Sequence, residues 1–314
     1  MRKVKQTSFQ QIFQFYNSKK EPDINDCNDN NAPLFQDYNG RLLIHDCNLN
    51  ALKNLLNKGY AGKIDLVYID PPFGIGKKFE NKKSGMAFDD KIVGSEYLQF
   101  MYERLILLRE LLSDEGSIYL HCDWHKSHHL RFLLDEVFGE ENFVNEVIWH
   151  YNSGGVGYEC FAKKHDTILF YSKKKDFYFN QPRIKSYIPT LKGRKFAIET
   201  LNAKIDTEAC SHCGEKGGFY HMTACRDVWS DINALHRNNI ERLGYPTQKP
   251  EALLERIVKA SSNEGSIVLD CFMGSGTTQA VAQKLGRKWI GIDCNKDSIE
   301  TVKKRFLKKF NISL

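Results

Sequence analysis

Two clusters of residues, some 200 positions apart at Asp70 and Asp270, carry the chemistry this sequence can do. The first is Asp70-Pro71-Pro72-Phe73, which closes the apolar run Ile64-Asp65-Leu66-Val67-Tyr68-Ile69. A buried strand running into two prolines must stop, because proline fixes φ and has no N–H for the ladder. The stop leaves a carboxylate, a stiff carbonyl and an aromatic ring at a strand's carboxyl end, where open α/β sheets bind ligands. Asp70 and the Pro71 carbonyl can accept N–H bonds from a planar, amine-bearing base, and Phe73 can stack on its face. Alone, the tetrapeptide reads equally well as a strand followed by a tight turn.

The second cluster follows Ile267-Val268-Leu269. Asp270 ends that strand, Gly274-Ser275-Gly276 permits close approach of backbone to a ligand, and Thr277 opens a helix. A further strand, Lys288 to Ile292, ends at Asp293. An acid about 20 residues beyond a Gly-rich turn suits ribose hydroxyls, so the unit reads as a site for an adenosine-type cofactor. The third glycine of a dinucleotide fingerprint is missing, and Asp270 projects into the turn. A carboxylate there repels pyrophosphate, which a dinucleotide would place at the helix N-terminus. S-adenosylmethionine, a sulfonium with a ribose and no phosphate, meets that charge better than NAD does.

These clusters need a scaffold of alternating strands and helices. Arg41 to Asp46 reads as a core strand, followed by a helix with Leu49, Leu52, Leu55 and Leu56 on one face and Gly59 near its stop. The strand before Asp70 comes next, then a helix over Tyr97 to Leu112 and a strand over Gly116 to Asp123. Phe143 to Trp149 and His165 to Tyr171 read as strands, and Pro250 opens a helix buried through Leu253, Leu254, Ile257 and Val258. This order predicts an α/β fold with a doubly wound, mostly parallel sheet. Residues 1–38 read as an N-terminal arm with a short helix near Phe9 to Tyr16, using Phe9, Ile12, Phe13 and Tyr16. Residues 74–90 read as a Lys- and Gly-rich loop over Asp70, either a solvated loop or a basic flap. From 175 to 243 the periodicity fades. Arg183, Lys185, Lys192, Arg194 and Lys195 interleave with Tyr187 and Phe196, as in an insertion that meets base edges and phosphates.

Metal and compartment signals are weaker. Cys122, His125, His128 and His129 lack a metal-ligand spacing, and the histidines read as helix-surface groups. Cys210, Cys213, His221 and Cys225 form a degenerate Cys-x2-Cys-x7-His-x3-Cys, so a structural zinc is left open and no metal is assigned. The chain has 314 residues, 41% hydrophobic and 27% charged, as in ordinary soluble proteins. No apolar run approaches ~18 residues, so no membrane partner is expected. Nine cysteines, odd in number and scattered, argue against a disulfide framework and for a reducing cytoplasm. A net charge of +6 suits nucleic acid without requiring it.

With both clusters in view, residues from about Arg41 to Arg305 resemble the β-type amino-group DNA methyltransferases. There the Asp-Pro-Pro stretch precedes the target-recognition segment and the cofactor motif follows. Phe73 stands where that family more often has Tyr, and Cys271 where it often has Pro. The resemblance implies a catalytic half at 39–174, a target-recognition insertion at 175–243 and a cofactor-binding half at 244–314. It implies catalytic roles for Asp70, Pro71, Pro72 and Phe73. Contacts to S-adenosylmethionine would come from Asp46, Asp70, Lys249, Pro250, Asp270, Phe272, Gly274, Ser275, Gly276, Thr277 and Asp293. The implied reaction methylates the exocyclic N6 of an adenine flipped from double-stranded DNA. Methylation of cytosine N4, or of an RNA or protein amide nitrogen, is the alternative. A restriction-modification setting is expected, with a cognate endonuclease and a homodimer left open as partners. A nucleotide-dependent oxidoreductase would leave Asp70 to Phe73 without a task. A non-catalytic DNA-binding module is disfavoured because both clusters are intact in the sequence.

Overall fold

The computed structural model describes residues 8–23, 36–37, 39–73, 78–81, 85–89, 93–152, 158–187, 200, 202–205 and 218–314. In chain order the first elements are α1 (Ser8–Ser18), β1 (Gln36–Asp37), β2 (Arg41–His45), α2 (Asn48–Leu55) and β3 (Ile64–Ile69). A hairpin of β4 (Lys78–Asn81) and β5 (Gly85–Asp89) leads to α3 (Ser95–Leu111), β6 (Leu112–Cys122), α4 (Ser127–Phe138), β7 (Phe143–His150) and β8 (His165–Ser172). Then come β9 (Arg183–Tyr187), β10 (Lys204–Ile205), β11 (Phe219–Ala224) and β12 (Val228–Trp229). The chain closes with α5 (Glu251–Ala260), β13 (Ile267–Asp270), α6 (Thr277–Lys284), β14 (Lys288–Asp293) and α7 (Lys296–Phe310).

One nine-stranded sheet carries the molecule, in the order β1-β2-β14-β13-β3-β6-β8-β7-β12. The five central strands from β2 to β6 are mutually parallel, and β8 runs against its neighbours. The fold is therefore α/β with a mostly parallel sheet, and its central strands read as near-continuous apolar runs because both faces are covered. One face packs on α1 to α4 through residues such as Leu52, Leu105, Leu108 and Leu133. The other packs on α5 to α7 through Leu254, Val258, Val281 and Phe306. The crossover from β3 thus leaves on one face and that from β13 on the other. The two strands are neighbours, paired at Leu66–Val268 and Val67–Leu269. Their carboxyl ends flank the point where the winding reverses, the standard place for a ligand crevice.

Several expectations change. The arm helix buries Phe15 rather than Phe13, which stays exposed. Phe15 meets the Tyr102 ring edge-on, while the Tyr16 hydroxyl donates to Glu136. The stretch expected as an irregular loop after Asp70 contains the β4–β5 hairpin, paired from Lys78–Asp89 to Asn81–Gly85. The insertion is not free of sheet either: β9, β10 and β11 form a three-stranded antiparallel sheet. Its last residues return to the main sheet, where β12 pairs with β7. Alternation in β9 and β11 is weak because that small sheet has little core to cover, which is why periodicity misses it. Among the described residues no helix is long and apolar enough to cross a membrane.

Candidate active site

The carboxyl ends of β3, β13 and β14 open on one cavity of about 670 Å3. Asp70, Pro71, Pro72 and Phe73 line it on one side, and Asp270, Phe272, Gly274, Ser275, Thr277, Asp293 and Lys249 on the other. Residues distant in sequence are thus brought together as expected. Asp46, Pro250 and Gly276 stand behind the described wall and shape it. Asp46 accepts the Cys47 amide at 2.7 Å, so Cys47 and Asn48 face the cavity instead. Pro250 precedes α5 with φ −68°, setting the entry of that helix.

At Asp70 the two carboxylate oxygens differ. Oδ2 accepts from Lys249 Nζ at 2.5 Å. Oδ1 is buried and has no hydrogen-bond partner among the described residues. An unmet buried acceptor costs about 1–3 kcal/mol, so this oxygen awaits a donor. One residue earlier, Tyr68 belongs to a buried chain. Its hydroxyl lies 3.0 Å from His121 Nδ1, and His121 Nε2 lies 3.0 Å from Asp166 Oδ2. Tyr151 donates to the other Asp166 oxygen at 3.0 Å. Burial opposes ionisation of Asp166, but the bonds from His121 and Tyr151 and the charge of Lys249 hold its carboxyl below the ordinary range. An ionised carboxylate only accepts, so His121 donates to Asp166 through Nε2 and meets the Tyr68 hydroxyl through Nδ1. Burial, with Asp70 adding, pushes the Tyr68 phenol well up, so it stays neutral.

The glycine turn is locked from three sides. Asp293 Oδ2 accepts the Gly274 amide and Oδ1 the Asn295 amide, both at 2.8 Å. Gly276 sits at φ 70° against α7, where an added Cβ would lie 2.5 Å from Val302 Cγ2. At Gly291 a Cβ would lie 2.4 Å from Met273 Sδ, so β14 must carry glycine there for the turn to settle on it. Arg305 of α7 is buried and donates to the Ser275 carbonyl at 3.0 Å and to Thr277 Oγ1 at 3.1 Å. Its other nitrogen reaches Glu251 at 2.8 Å, and Lys309 pairs with the same carboxylate. Burial alone would raise Glu251, but the two cations hold it below its ordinary value.

Asp270 lines the cavity with a hydrogen bond already made to each of its oxygens. Thr278 donates to Oδ2 at 2.6 Å and the Phe272 amide to Oδ1 at 3.0 Å. Burial pushes its carboxyl up to about 7, with Asp70 and Asp293 adding to the shift and those two bonds opposing it. Burial likewise raises Asp293. A cation in the cavity would stabilise both anions. At the far wall, Arg104 is buried against the Phe100 ring, 3.5 Å to its centroid, and donates to Asn48 Oδ1 at 2.7 Å. Burial lowers its affinity for its proton. The wall thus offers anions to a sulfonium or ammonium and cations to a carboxylate.

Arg104, Tyr68, His121, Asp166, Thr278, Arg305 and Gly291 were not among the residues expected from sequence. Thr278, next to the expected Thr277, carried a local signal; the others act across the fold and carried none. The remaining metal candidates resolve partly. His129 is buried rather than on the helix surface, and burial lowers its pKa to about 4, keeping it neutral. Cys122 is buried and donates to the Thr167 carbonyl. His221 lies on β11 and Cys225 just after it, whereas Cys210 and Cys213 lie outside the described residues. Lys192, Arg194, Lys195 and Phe196 also lie outside them. Among the described residues no group of three or more ligating side chains is placed to hold a metal.

Comparison with known proteins agrees with this layout. The profile of the N6/N4 methyltransferase family, described as DNA methylase, matches residues 64–304. The type II methyltransferase M.EcaI of Enterobacter cloacae is 33% identical over 304 residues, covering 82% of this chain and 67% of its own length. The type II methyltransferase M.HpaI of Haemophilus parainfluenzae is 34% identical over 264 residues, covering 84% and 73%. The fold is similar to that of the cytosine-N4-specific PvuII DNA methyltransferase, with a TM-score of 0.56, 19% identity and coverage of 84% and 86%. The matched residues run from the first of β3, through every part of the cavity wall except Cys47 and Asn48, to Arg305's neighbour in α7, and on that ground the chain belongs to the N6/N4 DNA methylase family.

Proposed function

We propose that the chain transfers a methyl group from S-adenosylmethionine to the exocyclic N6 of an adenine turned out of double-stranded DNA. The observation that carries the reading is Asp70 at the switch point, with one buried oxygen unmet among the described residues, on the wall of a cavity it shares with the glycine turn and Asp293. The cofactor fits the residues present. A volume of about 670 Å3 lies in the range of small-molecule sites, and the charges on its wall match a ligand carrying both a cation and a carboxylate. Asp293, Gly274, Ser275, Phe272 and Thr277 would hold the ribose and amino-acid portions, and Cys47 and Asn48 would bound the base. When bound, the cofactor supplies an electrophilic methyl on sulfur.

The chain's own groups do the rest. Asp70 Oδ1 accepts one N–H of the target amine and the Pro71 carbonyl the other. This draws the nitrogen lone pair out of ring conjugation and stabilises positive charge on nitrogen. Phe73 stacks on the extruded ring. Catalysis is then positioning and electrostatics, with no covalent enzyme intermediate. Lys249 donates to Asp70 Oδ2 and so orients the carboxylate. Residues 175–243 are the natural reader of base edges, and kinship with type II methyltransferases favours a restriction-modification setting. Cytosine N4 presents the same amine and is the competing acceptor; the leading Asp, rather than Ser, favours adenine. Asp70→Ala tests the roles: titration with S-adenosylmethionine should give an unchanged Kd, while transfer to DNA is abolished. Loss of cofactor binding with the substitution would overturn them.

A further inference from the structure

We propose that Tyr158 and Phe161 form an aromatic wedge that enters duplex DNA and fills the space vacated by the extruded base. This rests on the reading of the chain as a DNA methyltransferase that extrudes its target. Both side chains are 99% exposed and lie three positions apart, which leaves two large rings open to a partner.

Strand pairing fixes where they stand. Ile69 pairs with Leu120, so β6 continues past Asp70 through His121 and Cys122. Cys122 pairs with Thr167, and His150 with His165. The described ends of the β7–β8 connection, which carry Tyr158 and Phe161, therefore join the sheet at the edge that bears Asp70. Its base is tied down. The Tyr151 amide donates to the Lys164 carbonyl at 2.9 Å, and the Tyr151 hydroxyl donates to Asp166. Lys163 Nζ sits 4.7 Å from the centroid of Trp124, whose ring stacks on His125 at 3.6 Å. Two exposed rings thus stand next to an anchored strand end, on the same edge of the sheet as Asp70.

Charge selects the partner. Lys163 and Lys164 follow Phe161 after Ala162, and Glu159 is the one acid between the two rings. Paired cations suit phosphates, and aromatic rings suit the unstacked bases on either side of an extruded one. Extrusion costs unstacking and unpairing, and that cost is smallest when the target is mismatched. A wedge therefore matters for a paired target and hardly at all for a mispaired one.

The test follows from that contrast. The modified site is first located by sequencing DNA treated with the wild-type enzyme. Wild type and the Tyr158→Ala/Phe161→Ala double variant are then assayed on one duplex, with the target base paired or placed opposite an abasic position. The expected result is a kcat/KM lowered about ten- to hundred-fold on the paired duplex, the size of one to two base–aromatic stacks, with near wild-type activity on the abasic one. Tyr158→Phe/Phe161→Trp should retain activity on both, and all variants should keep the cofactor Kd. Equal loss on the two duplexes, no loss on either, or a changed oligomeric state would overturn the wedge. Absence of DNA methylation by the wild type would instead overturn the proposed function itself.

Discussion

Arg305→Met tests whether α7 holds the glycine turn in place. Arg305 is buried and joins three groups: the Ser275 carbonyl, the Thr277 hydroxyl and the Glu251 carboxylate. Methionine keeps the apolar stem and removes every donor. Removing one member of a buried pair costs about 3–5 kcal/mol. Here Lys309 remains on Glu251, so the carboxylate is not stranded. The lower end, about 3 kcal/mol, is therefore expected, most of it from the unmet Ser275 carbonyl and Thr277 hydroxyl. For 314 residues the unfolding entropy is about 0.7 kcal/mol/K, which converts that cost to a Tm lowered by about 4–5 °C. Because Ser275 and Thr277 line the cavity, affinity for S-adenosylmethionine should fall as well, by about tenfold for each 1.4 kcal/mol lost. Thermal unfolding with and without the cofactor, together with a binding titration, reads both effects. A Tm within about 1 °C of wild type, with an unchanged Kd, would refute the assignment of Arg305 as the tie between α7 and the turn.

Gly276→Ala should cost about 2–4 kcal/mol, since it combines a left-handed φ of 70° with a Cβ 2.5 Å from Val302, and chemical denaturation would measure it. Asp270 makes stability depend on pH. Its carboxyl titrates near 7 when folded and near 4 when unfolded, so the folded state holds the extra proton between those values. Its contribution therefore falls as pH rises from about 4 to about 7 and is constant outside that window, and Asp270→Asn should remove this slope in denaturation curves. A cationic cofactor favours the ionised form, so cofactor affinity should rise from pH 6 to pH 8 in wild type and lie flatter in Asp270→Asn, as read by calorimetry at about those two values. His121→Phe should destabilise by about 2 kcal/mol or more, because it leaves the Tyr68 hydroxyl and an Asp166 oxygen unmet.

The parts of this molecule visible in its sequence are those with short-range causes. Asp70 and Asp270 could be read because an apolar run followed by prolines, or by a glycine turn, is a local pattern with a local reason. The helix of α3 and the strands of the core were legible for the same reason. Arg305 was not, since its partners lie 28, 30 and 54 residues away and nothing near it marks a guanidinium as buried. The Tyr68–His121–Asp166 chain spans strands that become neighbours only through sheet order. Asp270 is legible as the acid that ends its strand, whereas the bonds its two oxygens accept from Thr278 and the Phe272 amide come only with the folded turn. Gly291 is silent in sequence, because its need for glycine comes from Met273 and Gln279 packed above it. The 3/4 spacing picks out Phe13 rather than Phe15, because spacing alone does not say which face of a short helix meets Tyr102.

The most direct test is to incubate the protein with methyl-labelled S-adenosylmethionine and unmethylated bacterial DNA, digest the DNA, and identify the labelled nucleoside. The account predicts N6-methyladenine. Label in N4-methylcytosine would contradict the assigned base, and DNA free of label, with label on RNA or protein instead, would contradict the account at its centre.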